Sequence, residues 1–329
     1  NHEKWRADNT KGTPLEGQTS GPKFEMEPGI NFGGPIIKDR LWFFLNASTY
    51  RSESYVAGFP YDKPAQTPIK NNTLFPYLKL TFQPDQNNKF VLGFNYSFNY
   101  LDNRGASKYA TEDTTWEQKY PAYVISAIWT HIFSKNLYTN LKVGASRTEL
   151  NLYDKKKVGY IQEDTNWLQS GSYGWDDLNP RTRVQMNADA TLFLDEFLGN
   201  HEMKFGIQGN LLEGRRKVIP YGPKDSLGMA RLMTYTWEGV PYYACWGGGH
   251  DRIDRGLNAG IFFNDSWNPT KRLTINLGLR FDYNRNFFPA GKGGIGDVPI
   301  KGSYAHIGYP EFTYNLEIEK TIKEIRENL

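Results

Sequence analysis

The sequence predicts an all-β fold, an antiparallel transmembrane β-barrel, and three observations lead to it. Apolar and polar residues alternate along most of the 329-residue chain, which is the period of a strand with one apolar and one polar face. Aromatic residues make up 15% of the chain and glycines number 32, a composition typical of membrane barrels. Short and long connections alternate between the strands, as they do in outer-membrane barrels.

The alternation is clearest from Leu273 to Asn284, where leucine, isoleucine and aromatic residues occupy every second position. In 120–133 both faces carry apolar residues, so the orientation of that segment stays open. Aromatic residues beside the short turns predict a girdle at the boundary between the bilayer and water on the side of the short turns. The girdle residues are Trp42, Phe43, Phe44, Phe82, Phe133 and Trp267. The predicted strands are 24–34, 41–51, 74–83, 89–100, 120–133, 137–152, 182–195, 201–216, 256–267 and 273–288.

The connections separate a barrel from a soluble sandwich, which alternates in the same way but has loops of mixed length at both ends. The short connections are 36–40, 84–88, 134–136, 198–200 and 268–271. The long, polar connections are 52–73, 101–119, 154–180, 218–254 and the residues from 289 onward. This asymmetry favours a barrel with periplasmic turns and external loops.

Composition excludes several other classes of protein. The 39 basic and 36 acidic residues give a net charge of +3, which argues against a nucleic-acid partner because such proteins gather a basic excess on one face. A mean hydropathy of -0.64 excludes a helical membrane protein, which needs about 18 consecutive apolar residues per span. The single cysteine, Cys245, excludes an internal disulfide framework and a cysteine-cluster metal site.

The segment Asn31–Phe44, which reads NFGGPIIKDRLWFF, resembles a known family. Gly33-Gly34-Pro35 ends one strand, Lys38-Asp39 supplies a tight turn, and aromatic residues begin the return strand. The run is similar to the first barrel hairpin of TonB-dependent outer-membrane receptors of the Oar-like group. These receptors often carry an N-terminal carboxypeptidase-regulatory-like domain.

The resemblance implies an integral protein of the outer membrane of a Gram-negative bacterium. The receptors of this family close as 22-stranded barrels around a plug, so ten strands would form only part of the barrel. We therefore expect residues 1–23 to be the plug-to-barrel linker and 24–329 to be the first five hairpins. An amphipathic pattern in 316–329 predicts a short helix in an external loop.

The resemblance also implies active import of a bulky nutrient. In this family the external loops capture the ligand, and the TonB-ExbB-ExbD energy-coupling system acts on the plug. The expected partners are the protein's own plug and remaining strands, outer-membrane lipid and lipopolysaccharide, and a bulky ligand. No cofactor, metal or catalytic residue is expected.

Two sets of residues are candidates for the site. Trp167, Trp175, Trp237 and Trp246 fall in the long connections and could bind a ligand by stacking, although packing of the loops is the stronger interpretation. A second set lies on the polar face of the strands and is expected to hold the plug by hydrogen bonds and ion pairs. Its members are Lys142, Lys204, Gln208, Asn210, Arg280 and Asp282.

Other chemistry is only weakly indicated. The histidines lack metal-binding spacing, and His201 is expected to be solvated in a turn. The pair His250-Asp251 could serve a barrel protease, but a solvated loop tip is favoured because adjacent residues seldom face each other. Acidic pairs such as Asp176-Asp177 lack the dense ligand pattern of a calcium loop. The alternatives to a transporter are a complete ten-stranded barrel enzyme and a structural or adhesive surface barrel.

Overall fold

The structure, a computed structural model, describes residues 11–13, 16, 18, 20–195, 197–226 and 228–287, and the backbone of 291–293 and 299–300. These residues form β-strands and one short 3-10 helix, Glu112–Thr114. Within the described ranges, no helix has the length and apolar character needed to span a bilayer. The expected helix at 316–329 lies outside the described residues.

The strands are numbered in the order in which they occur along the chain. They are β1 (Gly21–Met26), β2 (Gly29–Ile37), β3 (Leu41–Tyr55), β4 (Ile69–Phe82), β5 (Asn88–Arg104), β6 (Trp116–Ser134), β7 (Leu137–Asp154), β8 (Tyr160–Glu163), β9 (Leu168–Gly171), β10 (Trp175–Leu194), β11 (Asn200–Pro220), β12 (Ala230–Trp237), β13 (Val240–Gly247), β14 (His250–Thr270), β15 (Leu273–Phe287), β16 (Gly291–Gly293) and β17 (Pro299–Ile300).

The long strands form one antiparallel sheet in which each pairs with its neighbours in the sequence, and the predicted all-β antiparallel fold is confirmed. The order is β3-β4-β5-β6-β7-β10-β11-β14-β15. Both β1 and β2 pair with β3 on the side away from β4. The first predicted strand is therefore divided in two, at Glu27-Pro28. Proline interrupts the ladder because it has no N–H to donate, although its carbonyl accepts from the Thr49 N–H at 3.0 Å.

The end of the sheet that carries the long connections is called the outer end, and the end that carries the short turns is called the inner end. Most strands continue beyond their predicted outer ends. β10 begins at Trp175 and β14 begins at His250, whereas the alternation of apolar residues starts only at 182 and 256. Outside the hydrocarbon the outward face no longer has to be apolar, so a strand can extend without the pattern that reveals it.

The register assigns every side chain of the sheet to one of two faces. One aligned row consists of Trp129, Leu141, Ala188, Ile207, Ile261 and Phe281, and its side is called the apolar face. The neighbouring row contains Lys142, Asn187, Gln208, Gly260 and Asp282, and its side is called the polar face. The register also settles β6, because Ile125 and Trp129 share the apolar face while Ser126 and Thr130 share the polar one.

The apolar face has a clear limit at each end. At the outer end Arg147, Glu213 and Arg255 follow the last apolar residues in register. At the inner end aromatic rings stack across three strands, with centroids 6.2 Å apart for Phe82–Phe90 and 6.1 Å for Phe90–Trp129. A protein integral to the outer membrane presents such a band to lipid, bounded by charges and an aromatic girdle.

The predicted girdle is wrong for two residues. Trp42 is aligned with Thr81, and Phe44 with Lys79, so both lie on the polar face and only Phe43 between them lies on the apolar face. Three consecutive aromatic residues in a strand cannot all face lipid, because successive side chains point to opposite sides.

His201 is not the solvated turn residue that the sequence suggests. Its ring stacks on Trp267 with the planes at 6° and the centroids 5.6 Å apart. Its Nδ1 lies 2.8 Å from a carboxylate oxygen of Asp265, and the side chains of both residues are almost fully buried. His201 therefore provides a partner for the Asp265 carboxyl group, which would otherwise be buried alone on the apolar face.

The sheet has two edges among the described residues. At one edge β1 and β2 pair only with β3. At the other edge β15 pairs only with β14, and the outer end of β14 also pairs with β16, which pairs with β17. No described strand joins these two edges to each other, so the described strands do not close into a ten-stranded barrel.

A charge at the centre of the apolar face should be poorly tolerated. Leu279 is 78% exposed on that face and is aligned with Phe263. Leu279→Arg should therefore lower the free energy of unfolding by roughly 2–4 kcal/mol. Leu277 is a poorer test because it is aligned with Asp265, which could pair with the new arginine. The measurement is urea-dependent folding of the full-length protein into liposomes. Asn276→Arg, on the polar face, is the control, and equal tolerance of both changes would contradict the assignment of the faces.

Candidate functional site

The outer end of the polar face is covered by the long connections. Four aligned residues on β6, β7, β10 and β11, namely Gln118, Leu152, Asp177 and Val218, are each no more than 9% exposed. They lie beyond the apolar band, where a single sheet would leave this face open to solvent. Their burial shows that the loops fold over the polar face at this level.

A second sheet forms within those loops. Its four strands have the order β13-β12-β8-β9, and β8 and β12 pair in parallel although more than 65 residues separate them in the sequence. The two contributing connections, 155–174 and 221–249, therefore form one folded unit. We call this unit the loop sheet. The sequence predicted only polar loops in these ranges, because the strands are short and their pairing is non-local.

Buried carboxylates attach the loop sheet to the barrel strands. Asp154, at the end of β7, accepts hydrogen bonds from the N–H of Lys157 at 2.7 Å, the Ser172 hydroxyl at 2.7 Å and the Gly174 N–H at 2.5 Å. Asp176 accepts from the Asp154 N–H and from the Tyr221 hydroxyl, both at 2.7 Å. Burial and this bond to Asp176 raise the pKa of the Tyr221 phenol. The carboxylates are thus used as structural acceptors.

Glu163 organises the opposite end of the loop sheet. Its carboxylate accepts from the hydroxyls of Thr165 at 2.6 Å and Thr236 at 2.8 Å, and from the N–H of Glu238 at 3.0 Å and Gly239 at 2.9 Å. These donors, with the Thr165 hydroxyl first, lower the pKa of Glu163 to about 2. One side chain therefore holds the β8–β9 turn and the β12–β13 turn together.

The four candidate tryptophans divide into two pairs. Trp167 and Trp237 lie in the two turns joined by Glu163 and are 59% and 56% exposed. Trp175 packs edge-on against Trp116 and Tyr173, with centroids 6.3 Å and 4.7 Å away. Trp246 lies in β13 and is half-buried. Of the four, the structure brings only Trp167 and Trp237 to the same end of the loop sheet with open ring faces.

The six polar candidates all lie on the polar face, but in different settings. The guanidinium of Arg280 forms a two-pronged ion pair with Asp282, at 2.7 Å and 2.6 Å, and the side-chain amide of Gln208 contacts the same guanidinium. Gly260 lies beneath this pair, where a Cβ would meet the Asp282 carboxylate at 2.5 Å. A side chain at position 260 would therefore have to displace the ion pair.

The other three polar candidates are less enclosed. Lys204 approaches the carboxylate of Asp189 at 3.8 Å, and Lys142 is exposed. The Asn210 side-chain oxygen accepts from Arg183 through Nε at 3.1 Å and Nη2 at 2.8 Å. The sequence did not indicate Arg181 and Arg183 as candidates for the site, because both fall at the border between the predicted strand and its loop.

The histidine and aspartate considered for catalysis do not meet. His250 and Asp251 are successive residues of β14 and point to opposite faces, and Asp251 forms an ion pair with Arg215. His250 is half-buried rather than a solvated loop tip, and burial lowers the pKa of its imidazole. Among the residues that the structure describes, no three His, Cys, Asp or Glu side chains are grouped to hold a metal ion.

Comparison with known proteins identifies the family. The model of the outer membrane beta barrel domain matches residues 57–296. The chain belongs to this family. It is an integral protein of the outer membrane. No curated protein matches the chain in sequence.

Solved structures with a similar fold include three outer-membrane proteins. The outer membrane transporter YddB from Escherichia coli matches with a TM-score of 0.63 at 11% identity, over 80% of this chain and 35% of that one. FpvA of P. aeruginosa, solved with heterologous pyoverdines, matches at 0.56 and 12% identity, over 82% and 37%. The ferric-catecholate import receptor Fiu from E. coli matches at 0.52 and 12% identity, over 89% and 45%. The chain thus spans less than half of each of these proteins. YddB is a transporter and Fiu is an import receptor.

Acid should loosen the loop sheet through Glu163. Its pKa in the folded protein, about 2, lies below the ordinary value of 4.5, so its contribution to stability is complete above pH 4.5 and is lost as the pH falls toward 2. Cleavage by pepsin at the β12–β13 turn should therefore accelerate across this range, relative to an unstructured peptide of the same sequence. In Glu163→Gln the turn should already be cut faster at pH 4.5 and show little further change. Glu238→Gln is the control, and a pH dependence that survives Glu163→Gln would exclude this role.

Proposed function

We propose that the chain is part of a TonB-dependent receptor that actively imports a bulky nutrient across the outer membrane. The observation that carries this proposal is the burial of the outer end of the polar face beneath the long connections, while the polar face below stays open. A surface barrel without a transport role has no need of a polar wall enclosed from outside. The similarity of the fold to an import receptor and a transporter supports the same function.

The two unpaired edges support a larger barrel. A strand edge in hydrocarbon leaves backbone N–H and C=O groups unbonded, at a cost of several kcal/mol each. We infer that further strands pair with β2 and β15, which accords with similar structures of whose length this chain covers less than half. In this proposal residues 1–23 link a plug to the first of five hairpins within a 22-stranded barrel.

The parts of the chain then act in order. The exposed rings of Trp167 and Trp237 lie at the outermost turns and provide the first contact for the ligand. The polar face lines the interior, where Lys142, Lys204 and the Arg280–Asp282 pair contact the plug. The TonB-ExbB-ExbD system supplies the energy that displaces the plug. Lipopolysaccharide surrounds the charged outer limit of the apolar face.

The test of this function is energy-dependent uptake. The compound that co-purifies with the full-length receptor is identified by mass spectrometry, and its uptake is then measured in cells with and without the receptor. Uptake should fall to the level of receptor-free cells when TonB is deleted or an uncoupler collapses the proton-motive force. Uptake that persists under both conditions would show a passive channel instead.

The proposed orientation predicts which turns are accessible from outside. A cysteine replacing Glu238, in the β12–β13 turn, should react with a membrane-impermeant maleimide on intact cells. A cysteine replacing Asn87, in the β4–β5 turn, should react only after permeabilisation. The native Cys245 is buried, so the unmodified protein gives the background. Labelling of the Asn87→Cys protein alone on intact cells would invert the model.

A further inference from the structure

Two arginines stand out on the polar face because no acidic side chain in the described part of the chain pairs with either of them. Arg181 and Arg183 are two residues apart on β10, so both point to the polar face, roughly 7 Å from each other along the strand. Both are exposed. Within the described residues Arg181 has no ion pair, and Arg183 contacts only the neutral amide oxygen of Asn210. Two arginines on neighbouring strands of the same face, Arg216 and Arg252, by contrast form ion pairs with Asp177 and Asp254.

The position of the pair places it between the loop sheet and the membrane interior. Asp177, which the loops bury, lies four residues farther out on the same strand and face. Thr182, between the two arginines, is aligned with Glu213 at the outer limit of the apolar band. The arginines are therefore below the cover that the loops provide and near the outer surface of the bilayer.

The surroundings of the pair leave room for a bound group. Arg181 is flanked in register by Thr148 and by Gly214, and a Cβ added at Gly214 would meet nothing within 4 Å. The nearest carboxylate in register, Asp254, lies beyond Gly214 and is already paired with Arg252. Arg181 thus lies beside a position where no side chain fills the wall.

The row that contains Arg183 is also partly apolar. Ser146 and Leu212 flank Arg183 in register, and Val124 follows Ser146. Leu212 is 38% exposed and Val124 is 44% exposed, although both lie on the polar face. An exposed apolar side chain on each side of a guanidinium suits a molecule that carries both an anionic group and an apolar body.

We propose that Arg181 and Arg183 form a binding subsite for an oxyanion of the imported ligand, a carboxylate or a phosphate, whose apolar body lies against Val124 and Leu212. Guanidinium groups bind both oxyanions through paired N–H donors. The inference rests on the proposed function, because it requires the polar face to line the interior. It adds the chemical class of the ligand.

The experiment uses the full-length protein in detergent and two simple probes. Binding of 4-fluorobenzoate, a carboxylate with an apolar body, is followed by fluorine NMR, with empty micelles as the blank. Inorganic phosphate is then added as a competitor at constant ionic strength. We expect saturable binding of 4-fluorobenzoate, and displacement by phosphate would show that the subsite accepts either oxyanion. Binding without displacement would restrict the subsite to carboxylates.

The matched variants localise the site. Arg181→Gln together with Arg183→Gln should weaken binding by about tenfold or more, because each lost hydrogen bond to a charged group carries about that effect. Arg181→Gln alone removes no contact seen in the structure and should weaken binding without affecting folding. Lys217→Gln is the control, since Lys217 lies on the opposite face of the adjacent β11 and its removal should leave binding unchanged.

Three results would overturn the proposal. They are the absence of saturable binding to the unmodified protein, unchanged binding in the double variant, and an equal loss in Lys217→Gln. Unchanged binding combined with a lower melting temperature in the double variant would assign the arginines to the plug instead. The binding test can be distinguished from the uptake test. Binding of an oxyanion without energised uptake would contradict the proposed import but would still show an oxyanion-binding subsite on the polar face.

Discussion

The need to pair every backbone polar group inside hydrocarbon governs this molecule. It forces the long strands into one continuous ladder, in which each strand bonds to its neighbours along the chain. It also explains why the two free edges call for further strands, since β2 and β15 expose unpaired backbone N–H and C=O groups, which are costly inside a bilayer. Side-chain alternation follows from the same ladder, because a strand bonded on both sides presents one face to lipid and the other to the interior. The apolar band, the girdle and the polar wall are all consequences.

The parts of the fold under this constraint could be predicted from the sequence. Strands such as β15 repeat a leucine or aromatic residue at every second position, and their short turns contain residues that favour tight reversals, as Lys38-Asp39-Arg40 does. The outer extensions of β10 and β14 could not be predicted, since beyond the bilayer the outward face is free to be polar. The loop sheet was also missed, because its strands have eight or fewer residues and pair through contacts distant in the sequence.

In the candidate site, too, some features could be predicted from the sequence and others could not. The alternation of side chains along a strand was enough to predict which residues share a face, and the register puts Lys204 and Arg280 on the polar face. Their contact with a plug stays a prediction. Their partners within the sheet could not be predicted, because Gly260 beneath the Arg280–Asp282 pair is recognised only when the register is known. The loop tryptophans were grouped by their position in the chain, yet Trp175 is the first residue of a barrel strand and packs in an aromatic cluster. Glu163, which holds both outer turns, gave no signal because its donors come from two different loops.

The parallel pairing of β8 with β12 has a consequence for how this surface can diversify. External loops of barrel proteins generally tolerate insertion and replacement, since each returns to the strand beside the one it left. In this protein one loop supplies an edge that the other needs, and Glu163 ties their turns together. A lengthened or shortened loop would deprive its partner of a strand. Grafting the recognition surface onto another barrel would therefore require moving both loops at once, as a single inherited module.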